Sequence, residues 1–511
     1  MKIYILSTSD THGWILPTNF VGNNQAPFGL SRAKTAIEEF KNAHPDDVIF
    51  TVDNGDFIQG SPMTNYIARD HREFVGVYEE LANQMQYDIR TLGNHEFNYG
   101  SEYTKLAIPE SNNILTANIH KNGNNFYENS YKIIERKGVK VGFIGLTTEY
   151  IPHWEKESNV SNMEFQNPVE IAKKLVPIVR EQSDFVIVMY HAGLEYDSNT
   201  GEATEVITGE NRGYELINSV PGIDALVTGH QHRHIAQLIN TPFGDVPVTQ
   251  PGQKAEEIGV ISIDINSKEA QAKLILTKDF SPNLKMIKSI EKIQTGLNEY
   301  LDTKIGEFDK DYLFINHFKA RKESHPIIDL VNKVQGKAVN ASISANAIFN
   351  DDLPGFKKEI TRRDLVVNYL YPNTAVAELV SGAELLAALE QSASFFVIEN
   401  GKITVNKKFL EPKKQLYNYD IYSGIDYELK IENPIGSRVV KASFNGHSIA
   451  PDKKYKVALS SYRSGGTGNY SMYNSKKIIE ENPKDIIELL EEFIVENTPI
   501  KLKVPNNLKV K

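Results

Sequence analysis

Five apolar runs in the first half of the chain each stop at a short polar cluster, and that recurrence constrains the fold more than any other feature. Ile3-Tyr4-Ile5-Leu6 leads into Asp10-Thr11-His12, and Val48-Ile49-Phe50-Thr51-Val52 leads into Asn54-Gly55-Asp56. A third cluster is Gly93-Asn94-His95-Glu96. The run 185–190 ends at His191, and Ala225-Leu226-Val227-Thr228 ends at Gly229-His230-Gln231-His232. Short apolar runs bounded by turn residues read as buried strands. In open α/β sheets, side chains at strand ends converge on one crevice, where ligands bind. Each cluster offers Asp, Asn or His, the donor types that suit divalent transition metals.

Between these runs lie helical stretches at 32–41, 77–85 and 168–182, with further strands expected at 139–146 and 258–265. The alternation implies a layered α/β domain. Apolar positions Met286, Ile290, Ile293, Leu297 and Leu301 then recur every three or four residues. That spacing fits one amphipathic helix over 286–305, with Gly306 near its end. Beyond it no metal-type cluster occurs. Helices are expected at 327–335, 382–394 and 484–496 and strands at 375–380, 427–431 and 456–459, a separate α+β domain. Asn122-Gly123-Asn124-Asn125 reads as a turn or loop. The expected divisions are a domain bearing the metal-type clusters at 1–285, a linker helix or hinge at 286–320, and a second domain at 321–511.

With 511 residues, two or three domains are expected. A net charge of −10 argues against a protein that coats a nucleic-acid polymer, but not against a small nucleotide in a metal-lined pocket. The chain has no cysteine, so any metal must bind through N and O donors. No run of 18 apolar residues occurs, so no membrane span is expected. If Met1 is the native start, the absence of a signal-peptide pattern implies the cytoplasm; a leader already removed would imply a secreted or cell-surface protein.

Taken alone, an Asp-x-His pair or a Gly-Asp after a strand usually makes a turn. Gly-Asn-His-Glu is more informative, and Gly-His-x-His more so, because two imidazoles at i and i+2 can reach two adjacent ions. All five clusters in this order make coincidence a poor explanation. Together they resemble the calcineurin-like metallophosphoesterases, whose fold is a four-layer α/β/β/α sandwich. The resemblance implies one metal held by Asp10, His12 and His232, a second held by Asn94, His191 and His230, and Asp56 bridging both. Two such ions, about 3.5–4 Å apart, clamp the attacking and leaving oxygens of a phosphoryl group and activate a water. His95 then stabilises the transition state or protonates the leaving oxygen. Their identity stays open among Mn, Zn, Fe and Co. For Glu96, a structural salt bridge is the expectation.

The resemblance extends along nearly the whole chain, to the two-domain 5′-nucleotidase and cyclic-phosphodiesterase group, whose second domain grips the nucleoside of a small-molecule nucleotide. Tyr462, in the glycine-rich stretch 461–470, is the expected base-stacking residue. Tyr419 is its expected partner, with Tyr422 as the alternative. Within this group the chain is most similar to the 2′,3′-cyclic-nucleotide 2′-phosphodiesterase/3′-nucleotidase branch, through the segment 52–62, through 94–100 and through the stretch 462–466. Asn98 stands where 5′-nucleotidases usually have Asp paired with the catalytic histidine, so it cannot raise the pKa of His95 in the same way; it is expected among the substrate-binding residues. The stretch 346–351 lacks the phosphate-binding arginines usual in 5′-nucleotidases, and Arg362 and Arg363 begin the next helix. The implied activity is opening of 2′,3′-cyclic nucleotides to 3′-nucleotides, then release of phosphate and nucleoside, in nucleotide catabolism. The alternatives are a 5′-nucleotidase or nucleotide-sugar hydrolase, a metal-dependent DNA nuclease, and a non-catalytic nucleotide-binding protein.

Overall fold

Strands form where the apolar runs predict them, because each is buried along its whole length and can be satisfied only between layers. The computed structural model describes residues 1–20, 25–198, 200–204, 207–369, 371, 373–411 and 414–511. The chain divides into two compact units, Met1–Leu297 and Asn298–Lys511.

Unit 1 contains two large sheets. The first, five-stranded, has the order Ala270–Leu276, Glu257–Asp264, Lys2–Thr8, Val48–Asp53, Ile89–Arg90. Lys2–Thr8, Val48–Asp53 and Ile89–Arg90 run parallel, and Glu257–Asp264 closes antiparallel onto Lys2–Thr8. The second, six-stranded, has the order His234–Thr241, Gly244–Pro251, Ala225–Thr228, Phe185–His191, Val139–Thr147, Tyr131–Arg136. Its four central strands are parallel. One core cluster joins inward residues of both sheets: Ile3, Ile5 and Phe50 from the first pack with Phe143, Ile187 and Val227 from the second. A second cluster sets Val186, Val188 and Leu226 against Val169, Ala172 and Val176 of the helix Pro168–Arg180 and Leu216 and Ile217 of Gly213–Ser219. Alternate residues of one strand thus serve two faces, as expected for a parallel sheet covered on both sides. Pro168–Arg180 starts where it does because the Asn167 side chain accepts from Val169 N and Glu170 N, with Pro168 in the first turn.

The helix expected over 286–305 is two helices, Leu284–Ser289 and Glu291–Leu301. Met286, Ile290, Ile293, Leu297 and Leu301 are all buried, so the periodicity is real. The break comes at Ile290, whose ψ of 9° leaves the α region while its N–H closes back onto Ile287 and Lys288 carbonyls. Gly306 lies in a strand, Lys304–Glu307, paired with Glu359–Thr361. The stretch 122–125 is only half turn: Asn122 and Gly123 have φ of 53° and 79°, while Asn124–Asn125 pairs with Ile119–Lys121 as a hairpin.

Unit 2 is built on a sheet of order Asp420–Ser423, Ile343–Ala347, Lys454–Ser460, Thr374–Ser381, Ile478–Asp485. The helices Pro326–Ala338, Gly382–Ala393 and Ile486–Asn497 pack on its strands. Ile486, Leu490 and Ile494 bury one face of the last at i, i+4 and i+8. Gly382–Ala393 begins at a capping box of Ser381 and Glu384. Among the described residues no helix is long and apolar enough to cross a membrane.

Candidate metal centre

The parallel strands Lys2–Thr8, Val48–Asp53, Phe185–His191 and Ala225–Thr228 end just before, or at, the polar residues of their clusters. The loops there are bent sharply. Asp10, His12, Asp56, His230 and His232 all have positive φ, between 50° and 67°. Left-handed backbone at non-glycine residues is uncommon and, when clustered, marks functional sites. The turns lock to one another: Asp10 N donates to Gly55 O at 2.9 Å, His12 N to Asp56 O at 2.8 Å, and His230 N to both Asp10 carboxylate oxygens at 2.9 and 3.0 Å. Gly93 is required because a Cβ there would lie 2.2 Å from Asp56 Oδ1 and 2.6 Å from the His191 ring.

These turns bring the seven expected ligands into two adjoining groups. Ligand atoms of Asp10, His12 and His232 lie within 4.8 Å of one another, and so do those of Asp56, His191 and His230. Asn94 joins the second, its Oδ1 lying 3.3 Å from His191 Nε2 and 2.9 Å from His230 Nδ1. A third overlapping group, His12, Asp56 and His95, sets His95 beside both.

The donor chemistry fits cations. His12 Nδ1–H donates to the Gln59 carbonyl at 2.8 Å and His191 Nδ1–H to the Asn54 carbonyl at 2.6 Å. Carbonyls only accept, so each neutral ring carries its proton on Nδ1 and turns the Nε2 lone pair inward. His230 is reversed: Nε2–H donates to Glu210 Oε1 at 2.8 Å, leaving the Nδ1 lone pair inward. Inside, His191 Nε2 lies 3.1 Å from Asp56 Oδ2, and His12 Nε2 lies 3.1 Å from His232 Nε2. Among the described residues Asp56 Oδ2 is buried and, apart from that His191 nitrogen, has no hydrogen-bond partner. Ligand atoms this close need positive charge between them, a cation or a proton, and all-N/O donors suit divalent ions. The protonation tendencies agree. Burial drives the His12 ring down to about 4. Burial pushes His191 the same way, but the Asp56 and Asp10 carboxylates outweigh it and raise it to about 10. Burial pushes Asp10 up, and the charges of His191 and His232 pull harder, leaving it at about 2.

Among the described residues Glu96 makes no salt bridge. It is fully buried and takes four backbone N–H groups: Oε1 accepts from Phe57 at 2.6 Å and Ile58 at 3.3 Å, Oε2 from Asp56 at 2.8 Å and Gly93 at 2.6 Å. It thereby ties the Asp56 turn to the Gly93 turn. Asn98 also differs from expectation. Its Oδ1 accepts from His95 Nδ1 at 2.6 Å and its Nδ2 donates to Glu155 Oε2 at 2.6 Å, so both amide ends are engaged away from a substrate. Sequence reading missed Glu155, Glu210 and the ring of Trp154, which packs 5.2 Å from that of His230. All three lie in polar loops with no motif, and only the carbonyl-bearing Asn54 and Gln59 sit inside a recognisable segment.

In unit 2, Tyr419 has no face to offer a base. It is 0% exposed, stacked 4.6 Å from Phe395, edge-on to Phe396, and its hydroxyl donates to the Arg321 carbonyl at 2.7 Å. Tyr422 is equally buried, its hydroxyl 2.9 Å from that of Tyr473. The half-buried ring near Tyr462 is Tyr417, at 6.3 Å and 73°. Arg463, buried in the short helix Ser461–Ser464 that follows the strand Lys454–Ser460, anchors the backbone at Tyr417. Arg463 pairs bidentately with Asp420 at 2.8 and 3.0 Å and donates to the Tyr417 carbonyl at 3.0 Å. Arg362 and Arg363 are paired with Glu491 and Asp302, both at 2.8 Å. The 346–351 segment does receive an arginine from elsewhere, Arg321, whose fork meets Asp351 Oδ1 at 2.6 Å and Ile348 O at 3.1 Å.

The calcineurin-like phosphoesterase family model matches residues 3–234, and that of the 5′-nucleotidase C-terminal domain matches 304–475. A provisionally assigned 5′-nucleotidase of known structure from Staphylococcus aureus is 34% identical with a TM-score of 0.89, covering 100% of this chain and 99% of that one. The 2′,3′-cyclic-nucleotide 2′-phosphodiesterase/3′-nucleotidase of Haemophilus influenzae is 27% identical over 97% of this chain and 84% of its own length. The trifunctional nucleotide phosphoesterase of Bacillus subtilis is 26% identical over 100% of this chain, which spans only 39% of that longer protein.

Proposed function

We propose, from the premise that the chain belongs to the calcineurin-like phosphoesterases carrying a 5′-nucleotidase C-terminal domain, that it is a dimetal hydrolase of 2′,3′-cyclic nucleotides and 3′-nucleotides. The observation that carries this reading is the inward convergence of ligand atoms from seven side chains, with the rings of His12, His191 and His230 oriented from outside by hydrogen-bond acceptors. On this reading Asp10, His12 and His232 hold one ion, Asn94, His191 and His230 the other, and Asp56 both. When bound, the two dications supply Lewis-acid charge and an activated water.

The remaining chemistry falls to the chain. The Gln59 and Asn54 carbonyls and the Glu210 carboxylate fix the ring orientations of His12, His191 and His230, so the cage is preorganised. His95 has Nδ1–H committed to Asn98, which turns Nε2 toward the phosphoryl group; the leaving oxygen receives its proton from there when the ring carries both protons. In the first hydrolysis the bond from phosphorus to the 2′ oxygen breaks and that oxygen gains a proton, giving a 3′-nucleotide. In the second the bond to the 3′ oxygen breaks, releasing phosphate and nucleoside. Tyr462 is the base-stacking residue, and Tyr417 replaces Tyr419 as its partner. Their 73° interplanar angle means one ring must turn for both to stack on a base.

A second reading, 5′-nucleotidase, is favoured by the 34% identity to the Staphylococcus aureus protein. Turnover of 2′,3′-cAMP, 3′-AMP and 5′-AMP by the metal-replete chain separates the two. The first reading predicts higher kcat/KM for the cyclic and 3′ substrates; equal or faster release from 5′-AMP overturns it.

A further inference from the structure

His95 is the group expected to act on the phosphoryl oxygens, so what sets its donor pattern matters. A chain of donors with unambiguous sense ends on it. The Asn98 backbone carbonyl can only accept, and Asn159 Nδ2 donates to it at 2.9 Å, which fixes the Asn159 amide. That same NH2 donates to Glu155 Oε1 at 2.8 Å. The Lys156 backbone N–H, which can only donate, reaches Glu155 Oε1 at 2.9 Å. Oε1 is therefore saturated as an acceptor, and Oε2 is left facing Asn98 Nδ2 at 2.6 Å. With its NH2 taken there, Asn98 can present only its carbonyl oxygen to His95 Nδ1, at 2.6 Å.

We propose that Glu155 is a positioning residue for the hydrolytic reaction: by orienting the Asn98 amide it keeps a proton on His95 Nδ1 and holds the ring with Nε2 toward the reacting phosphoryl group. Asn98 is electrically neutral, and the carboxylate that a His–Asp pair would place next to the ring stands one residue further out, on a loop 57 positions along the chain. Donor–acceptor matching carries the argument, and it rests on the reading that His95 serves phosphoryl transfer.

Glu155→Gln tests it sharply. Lys156 N–H holds the glutamine oxygen at the Oε1 position, so the new NH2 faces the Asn98 NH2. Asn98 must then flip, present its NH2 to His95, and drive the ring to the Nε2–H tautomer. A ring flanked by a donor cannot carry a proton on Nδ1, and kcat on 2′,3′-cAMP should fall about 10–100-fold, the range seen when such outer partners are removed. KM should move little, because Glu155 does not touch substrate. Asn98→Asp in the Glu155→Gln background restores an acceptor toward both the glutamine NH2 and His95 Nδ1–H, and should recover most of kcat. A loss from misfolding would not be rescued by that second change. The tautomer is read without turnover, by 15N-histidine NMR of the full chain loaded with Zn2+. Nδ1–H in the wild type, Nε2–H in Glu155→Gln and Nδ1–H again in the double variant are expected. An Nε2–H wild-type ring, an unmoved tautomer in Glu155→Gln, or a double variant no better than the single overturns the proposal. Failure to hydrolyse any nucleotide would instead overturn the functional reading, with the NMR result still deciding the role of Glu155.

Discussion

Replacing Glu96 with glutamine alters one atom and should cost far more than an ordinary polar swap. The carboxylate accepts two backbone N–H groups on each oxygen, from Phe57 and Ile58 on one and from Asp56 and Gly93 on the other. A glutamine has one acceptor oxygen, so whichever way its amide turns, two buried N–H groups lose their acceptor and meet an NH2 donor. Each unsatisfied buried donor costs about 1–3 kcal/mol, for about 2–6 kcal/mol in all. For a unit of this size that corresponds to a fall in Tm of roughly 3–10 °C. The turns that separate carry Asp56 and Asn94, so affinity for the ions should fall as well. Thermal unfolding of wild type and Glu96→Gln in EDTA isolates the loop effect, and titration with Mn2+ then reads the second. A Tm within about 1 °C of wild type in EDTA would refute the reasoning. It would mean that Glu96 is already protonated in the folded chain, or that the four N–H groups have other partners.

Other predictions follow from the same geometry. Tyr417→Ala and Tyr462→Ala should each raise KM for 3′-AMP by about 5–150-fold, from a stacking contribution of about 1–3 kcal/mol per ring. KM for 4-nitrophenyl phosphate, which carries no base, should change little; Tyr419→Ala should instead lower Tm, because it empties a core position. Burial raises Glu378 to about 8, against the opposing pull of the Asn474 N–H. Its folded pKa exceeds the unfolded value, so the folded state holds a proton that the unfolded state has lost between about pH 4.5 and 8. Stability should fall as pH rises through that window, by up to about 1.4 kcal/mol per unit, and Glu378→Gln should flatten the profile in urea titrations at pH 5, 6.5 and 8.

The strand-end clusters were legible because polar residues after long buried runs are few. The glycines at 55, 93 and 229 were legible too. The left-handed backbone at Asp10, His12, Asp56, His230 and His232 was not, because nothing in those residue types demands positive φ; it is imposed by the locks between turns. Glu96 was read as a salt bridge because a buried carboxylate usually needs a cation, and backbone N–H groups carry no sequence signature. Tyr419 and Tyr417 differ by two positions in one aromatic stretch, and only the packing of Phe395 and Phe396 decides which is enclosed. The break at Ile290 lay hidden because both helices bury the same stripe. Glu155 and Glu210 lie in polar loops and act across 57 and 20 positions of the chain, where local pattern says nothing about contact.

The most direct test of the metal centre is the number of ions the chain binds, read by elemental analysis after equilibration with Mn2+ and desalting. Two ions per wild-type chain, one or none in Asp56→Ala, and one in His232→Ala are expected, since Asp56 serves both groups and His232 only one. Fewer than two ions in the wild type, or two retained in Asp56→Ala, would contradict a pair of cations sharing that carboxylate.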